Sequence, residues 1–246
     1  MTARSVVITG ATGGIGAALC TAFRKAGYRV VGCDVRDGVP ECDEFLRFDL
    51  RALSGSDKDR TGILGRIREA VGGNTLSALV NNAAVQVLGK VESLTPADWQ
   101  ATFETNVTAA FLLTQGLLAE LERGKGSVVN VVSVHANLTK PGFVAYATSK
   151  AALVGLTRSM AVDLGGRVRV NAVLPAATGT PMLLAGFEGK PAELETLGAM
   201  HPAGRIARPE EVAAVAVFLA SDAASFMTGA SIAVDGGVGA RLHDPR

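Results

Sequence analysis

A short apolar run, Ser5–Thr9, leads without a break into Gly10-Ala11-Thr12-Gly13-Gly14-Ile15-Gly16 and then into a helical stretch. This succession of strand, glycine turn and helix constrains the fold more than any other feature. A strand apolar at consecutive positions must be buried on both faces, as strands of a parallel sheet are. Runs of the same kind recur at Arg29–Cys33, Leu76–Val80, Ser127–Ser133, Val168–Val173 and Ala230–Val234, with a weaker one at Phe45–Phe48. Parallel neighbours need crossovers, and helices supply them. Seven strands with helices between them therefore predict an α/β fold: a doubly wound parallel sheet with helices on both faces. No composition break, internal repeat or low-complexity tract marks a linker, so residues 1–246 are read as a single domain.

Helix signals fill the gaps. Thr95-Pro96-Ala97-Asp98 places a good cap before a first-turn proline, and the helix it starts is expected to run to about Glu122. A second long helix, about Phe143 to Leu164, carries Ala151, Ala152, Leu153, Val154, Leu156, Met160, Ala161 and Leu164 on nearly every face. A helix lying on a sheet needs only one apolar stripe, so its other side calls for a second cover. A further subunit is the expected cover, giving a homo-oligomer. Arg208-Pro209-Glu210-Glu211 opens another helix to about Ala220. Between Thr180 and Gly204, mixed Gly, Pro and polar residues with Met182, Leu183, Leu184 and Phe187 read as a lid with short helical pieces. Ala240 to Arg246 reads as a short polar tail.

Charge and composition remove several function classes. Twenty-four basic against 23 acidic residues give a net charge of +1, which is no footprint for nucleic acid or an anionic membrane. The longest apolar runs, such as Ala213 to Ala220, fall far short of the roughly 20 residues of a membrane span. Met1-Thr2-Ala3-Arg4-Ser5 lacks the regions of a signal peptide, and a cytoplasmic protein is expected. Cys20, Cys33 and Cys42 lack CxxC spacing and are read as reduced structural thiols; His135, His201 and His243 are too scattered for a metal site.

Glycines at a strand end allow a tight turn and let the backbone approach a pyrophosphate, while the following helix offers free N–H groups and the positive end of its dipole. The spacing G-x-x-x-G-x-G is looser than the usual dinucleotide fingerprint. Asp34 lies 18 residues beyond Gly16 at the end of the second strand. An acid there hydrogen-bonds ribose hydroxyls and repels a 2′-phosphate, which favours NAD over NADP. Arg36, close behind it, pulls toward NADP.

Taken in order, the motifs closely resemble the short-chain dehydrogenase/reductase family from about Val6 to Gly237. They are TGATGGIG at 9–16, Asp34, FDL at 48–50, NNAA at 81–84, Asn106, Ser133, YATSK at 146–150, NAVLP at 171–175 and VDGG at 234–237. The resemblance implies a Rossmann-type domain with strand order 3-2-1-4-5-6-7, forming a homotetramer or homodimer. It implies a cofactor site built from Gly10, Thr12, Gly13, Gly14, Ile15 and Gly16, with Asp49 and Leu50 at the adenine. Asn82, Ala83 and Ala84 would line the cofactor, Thr178 and Thr180 its nicotinamide end. The family usually has Pro-Gly where this chain has Pro175-Ala176, which puts the local path around 176–180 in question.

Tyr146 and Lys150 stand four apart on one helix face. A free phenol has a pKa near 10, and a neighbouring ammonium is expected to lower it toward the range where proton transfer works well. Lys150 can also hold the nicotinamide ribose. Ser133, at a strand end, can hydrogen-bond the substrate oxygen. Asn106 sits unusually inside a helix; the resemblance gives its backbone the role of holding a water that extends the proton relay. His135, Phe143 and the apolar lid residues are expected at the substrate; no Arg or Lys is obviously placed to clamp a carboxylate, and only Lys140 and Lys190 stay open for that role. The sequence thus reads as an NAD-dependent oxidoreductase of secondary alcohols or ketones. Its alternatives are an NADP-dependent 3-oxoacyl thioester reductase and a non-catalytic NAD-binding regulator.

Overall fold

The first apolar run forms β1 (Arg4–Thr9), and its alternate side chains enter two different cores. Val6 and Ile8 face one side of the sheet and Val7 the other, all fully buried. The structure, a computed structural model, describes residues 4–38, 40–72 and 75–242. The remaining strands are β2 (Arg29–Asp34), β3 (Glu44–Arg47), β4 (Thr75–Asn81), β5 (Ser127–Val131), β6 (Arg169–Pro175) and β7 (Ser231–Val234). Together with β1 they form one sheet in the order β3-β2-β1-β4-β5-β6-β7, every pair parallel. Strand order and parallel pairing both match the expectation. β5 ends two residues sooner than its apolar run, although the Val132 N–H still donates to the Val173 carbonyl.

Helices cover both faces. On one lie α1 (Gly14–Lys25) and α9 (Pro209–Ala220), which bring Leu19, Phe23, Val212 and Leu219 into a core with Val6, Ile8, Val80 and Val129. The other face is covered by α2 (Asp57–Val71), α4 (Ala109–Gly116), α5 (Leu118–Arg123) and α6 (Val144–Leu164). There Ile67, Leu113, Leu121, Met160 and Leu164 pack on Val7, Leu79 and Val128. At 21 residues α6 is the longest of these, and no described helix is long and apolar enough to cross a membrane.

Two helix expectations need correction. The stretch from Pro96 is not one helix: α3 (Pro96–Phe103) passes into a wider π turn at Glu104–Thr108 before α4, and α5 starts separately after Leu117. Its start is as expected, with Thr95 and Asp98 forming a reciprocal capping box. Nor is α6 apolar all round. Leu153, Val154, Met160, Ala161 and Leu164 are buried, but Ala151, Gly155, Arg158, Ser159 and Asp163 are exposed, with Val162 at 85%. The segment after β6 carries two short helices, α7 (Pro181–Ala185) and α8 (Pro191–Ala199), as its mixed composition suggested. His243, within the expected polar tail, and Met1-Thr2-Ala3 lie outside the described residues.

Candidate active site

Strand order reverses between β1 and β4, and a doubly wound sheet opens its binding crevice where the two connections part, at the carboxyl ends of the strands. The glycine turn leaves β1 at that edge, residues 82–84 leave β4, and Ser133 stands just beyond β5. Thr9 ties the first two together. Its Oγ1 accepts from the N–H groups of Asn82 and Ala83, at 3.0 Å each, while Asn82 Nδ2 donates to the Thr9 and Gly10 carbonyls at 2.9 and 3.2 Å. The Asn82 amide is therefore spent on holding the turn. Thr9 is a structural member of the site that the pattern of glycines does not single out.

The turn is a cradle that side chains would fill. Gly10 has φ +67°, and a Cβ there would stand 2.8 Å from Ala83 Cα. At Gly16 a Cβ would lie 1.9 Å from the Gly10 carbonyl oxygen; at Gly14 it would lie 2.8 Å from Thr180 Cβ. Backbone N–H groups at the start of α1 thus remain open to an anionic ligand such as a pyrophosphate. Thr180 caps α7 by accepting from the Leu183 N–H at 3.3 Å, so the segment carrying α7 begins directly against the turn. Thr178 is buried and donates to the Ala176 carbonyl at 3.0 Å. Ala176 does not need the glycine of its counterparts: apart from glycines, Lys125 alone among the described residues has positive φ.

Asp34 closes the other end. It accepts from Thr12 Oγ1 at 2.6 Å and from the N–H groups of Thr12 and Arg36 at 3.0 and 3.1 Å, with the Arg36 guanidinium at 3.7 Å. Burial pushes its carboxyl up, but those hydrogen bonds outweigh it and hold the group below the usual carboxylate range. A cavity of about 300 Å³, lined by Thr12, Arg36, Gly38 and Pro40 among others, opens beside it. Asp49 is paired with Arg51 at 2.6 Å and caps the turn at Leu50–Ser54, while Leu50 packs on the core.

Tyr146, Ser149 and Lys150 come from the first two turns of α6. Lys150 is 2% exposed, donates from Nζ to the Val131 carbonyl at 3.0 Å, and sits 5.6 Å from the centre of the Tyr146 ring. The balance of pKa shifts differs from the expected one. Burial pushes the Tyr146 phenol up, with the Ser133 hydroxyl pulling it partly back, and burial pushes the Lys150 ammonium down to about 8. Ser133 Oγ also accepts from the His135 N–H at 3.2 Å. Asn106 lies in the π turn and is buried. Its Oδ1 accepts from the Val85 N–H at 2.8 Å, and its Nδ2 donates to the Val85 carbonyl at 3.0 Å and to Ser149 Oγ at 2.9 Å. Beneath the site Asn81, Asn130 and Thr157 form a buried chain of hydrogen bonds at 2.9 Å each. Ser149 and this chain are partners that sequence spacing does not reveal.

A crevice with a glycine cradle on one side and a tyrosine, a buried lysine and a strand-end serine on the other defines a nicotinamide-dependent oxidoreductase. Comparison with known proteins agrees. The family model described as Enoyl-(Acyl carrier protein) reductase matches residues 10–239. The chain is 38% identical over 245 residues to 2-(S)-hydroxypropyl-CoM dehydrogenase 3 of Xanthobacter autotrophicus, covering 95% of each. It is 36% identical over 242 residues to a 3-oxoacyl-[acyl-carrier-protein] reductase of Thermotoga maritima, covering 94% of this chain and 96% of that one. Among solved structures it superposes on ligand-free Thermoplasma acidophilum aldohexose dehydrogenase with TM-score 0.91 and 31% identity, over 100% of this chain and 97% of that one. The chain belongs to the short-chain dehydrogenase/reductase family.

Proposed function

We propose that this oxidoreductase is an NAD-preferring dehydrogenase of secondary alcohols in which Tyr146 transfers the proton. The observation that carries the reading is the convergence of Tyr146, Ser133 and Lys150 at the carboxyl edge of the sheet beside the glycine cradle. When bound there, a nicotinamide cofactor supplies the hydride acceptor or donor. Tyr146 Oη takes the hydroxyl proton in oxidation and returns one to the carbonyl oxygen in reduction. Ser133 Oγ hydrogen-bonds the same oxygen and stabilises its developing charge. Lys150, held by the Val131 carbonyl, stabilises the phenolate and reaches the nicotinamide ribose; Asn106 shapes the π turn behind it. Gly10, Thr12, Gly13, Gly14, Ile15 and Gly16 would hold the pyrophosphate, with Asp34 at the adenosine ribose, Asp49 and Leu50 at the adenine, and Ala83, Ala84, Thr178 and Thr180 toward the nicotinamide.

Asp34 supports NAD, since hydrogen bonds hold its carboxyl below the usual carboxylate range and an acid at the end of the second strand repels a 2′-phosphate. A second reading, reduction of 3-oxoacyl thioesters with NADP, draws on Arg36 beside Asp34 and on the similarity to the 3-oxoacyl-[acyl-carrier-protein] reductase of Thermotoga maritima. The working unit in this proposal is one domain over 1–246 with a lid at 180–204, assembled as a homotetramer or homodimer in the cytoplasm. The experiment is to compare wild type with Tyr146→Phe at 340 nm on secondary alcohols and ketones, with NAD and NADP side by side. The variant is expected to lose turnover and keep cofactor binding. Substantial turnover in it would overturn the assignment, and a wild-type preference for NADP on thioesters would favour the second reading.

A further inference from the structure

Helix α6 begins without the usual closure of a helix start. Its N-cap residue, Phe143, makes no side-chain cap hydrogen bond, and no acidic residue stands in its first turn. The first N–H groups of a helix have no partner within it, so an uncapped start frays more easily than a capped one. Yet Tyr146 is the third residue of this helix and has to hold its phenol beside Ser133. Two side chains bond back to carbonyls of this turn. Thr148 Oγ1 donates to Val144 and Ser149 Oγ donates to Tyr146, both at 2.7 Å. Thr148 is exposed and its bond stays inside the helix. Ser149 is fully buried and also accepts from Asn106 Nδ2 at 2.9 Å, which anchors it to another element.

Asn106 is anchored in turn. Its amide exchanges two hydrogen bonds with the backbone of Val85, the residue directly after Ala84, at 2.8 and 3.0 Å. Four residues further on, the Gly89 N–H donates to the Gly142 carbonyl at 2.9 Å, just ahead of the helix. Segment 85–89 thus holds the start of α6 at two points, once through Gly142 and once through Asn106 and Ser149. An unbroken line of hydrogen bonds runs from Val85, beyond the end of β4, to the Tyr146 carbonyl.

We propose that Ser149 is a positioning residue for Tyr146. By donating to the Tyr146 carbonyl while Asn106 holds it, its hydroxyl keeps the reacting phenol in register with the segment proposed to line the cofactor. The proposal rests on the reading of Tyr146 as the proton-transferring residue and goes beyond it in naming what sets the phenol's place. The titratable groups facing the ring are Lys150, with Nζ 5.6 Å from its centre, and His135, 5.8 Å away between ring centres. Ser149 hydrogen-bonds neither, so its effect on the phenol runs through the turn. The Ser133 hydroxyl pulls the Tyr146 phenol down; a looser turn weakens that hydrogen bond and lets the phenol rise.

The test compares wild type with Ser149→Ala, Ser149→Cys and Thr114→Ala. Cysteine keeps a side chain of similar shape with only a weak donor, so that variant carries the test if alanine fails to fold. Thr114, buried in α4 and donating to the Ala110 carbonyl at 2.8 Å, controls for the loss of a buried helix hydroxyl. The dependence of kcat on pH is measured with NAD and the secondary alcohol that wild type oxidises fastest, and NADH affinity by fluorescence titration. Both Ser149 variants are expected to lose about tenfold in kcat and to move the midpoint of its rise with pH up by about one unit, with NADH affinity within about twofold of wild type. Thr114→Ala should lose stability and keep the midpoint. A midpoint unmoved in the Ser149 variants would overturn the proposal, as would a loss of NADH affinity as large as the loss of kcat. Hydrogen exchange of amides 147–150 in the free enzyme separates this failure from that of the Tyr146 reading. Exchange about tenfold faster in Ser149→Ala than in wild type supports the clamp even where Tyr146→Phe retains turnover, and unchanged exchange overturns it.

Discussion

The side chain of Lys150 is among the most costly in the molecule to bury. Its folded pKa of about 8 against an ordinary 10.5 corresponds to roughly 3 kcal/mol of unfavourable burial. The hydrogen bond to Val131 offsets part of this, and losing it would leave a buried carbonyl unpaired at about 1–3 kcal/mol. Lys150→Met is therefore expected to abolish turnover yet unfold at pH 7 with stability equal to wild type or up to about 2 kcal/mol higher. The pH dependence follows from linkage. Between about 8 and 10.5 the unfolded chain binds the proton that the folded chain has lost, so wild-type stability rises with pH across that window. Urea unfolding at pH 7 and pH 9.5 should find the variant's advantage shrinking at the higher pH; an advantage that grows would refute the account. Asp34 allows a second residue-scale prediction. Removing its carboxylate frees Thr12 and leaves Arg36 uncompensated, so Asp34→Ala should move the NAD-over-NADP ratio of kcat/KM toward NADP by about tenfold or more. An unchanged ratio would mean that Asp34 does not set cofactor choice. Residue identities of this kind were readable in sequence because the motifs are local. The direction of the Tyr146 shift was not, because burial depends on everything packed around α6.

At the scale of elements, all seven strands were legible because a strand buried on both faces writes itself as an unbroken apolar run. The π turn at Glu104–Thr108 was not, since neither Gly nor Pro marks it. The cause is a tertiary contact: Asn106 turns its amide out of the helix to grip Val85, 21 residues before it, and Ser149, 43 residues after it. An asparagine inside a helical stretch was the visible trace of that contact, but its partners lie on other elements. The π turn and the first turns of α6 should therefore behave as one unit. Asn106→Ala is expected to destabilise the fold by about 2–4 kcal/mol through the buried groups it leaves unpaired. Ser149→Ala should cost less, and the double variant less than the sum of the two, since one change removes the partner of the other. Urea unfolding of all four proteins measures the coupling, and strict additivity would separate the two elements energetically.

For the molecule as a whole, the outer surface of α6 carries the argument for assembly, in a form that the sequence pattern overstated. What faces outward is a low ridge of Ala151, Gly155 and Ser159 ending in Val162, with Phe111 of α4, 41% exposed, elsewhere on the surface. Low side chains let a second helix approach closely, and an isologous contact pairs the same ridge from two copies. Gly155 offers a clean way to test this. An added Cβ there meets nothing within 4 Å in the single chain, and a glycine in a helix interior costs about 0.5–1 kcal/mol relative to alanine. Gly155→Glu should therefore leave the protomer folded and at least as helical, while placing two carboxylates against each other wherever α6 meets its copy. Light scattering after size exclusion is expected to report an oligomer for wild type and a smaller species for the variant, with unchanged circular dichroism. A wild type that elutes as a monomer, or a variant of undiminished mass, would show that α6 meets water rather than its own copy.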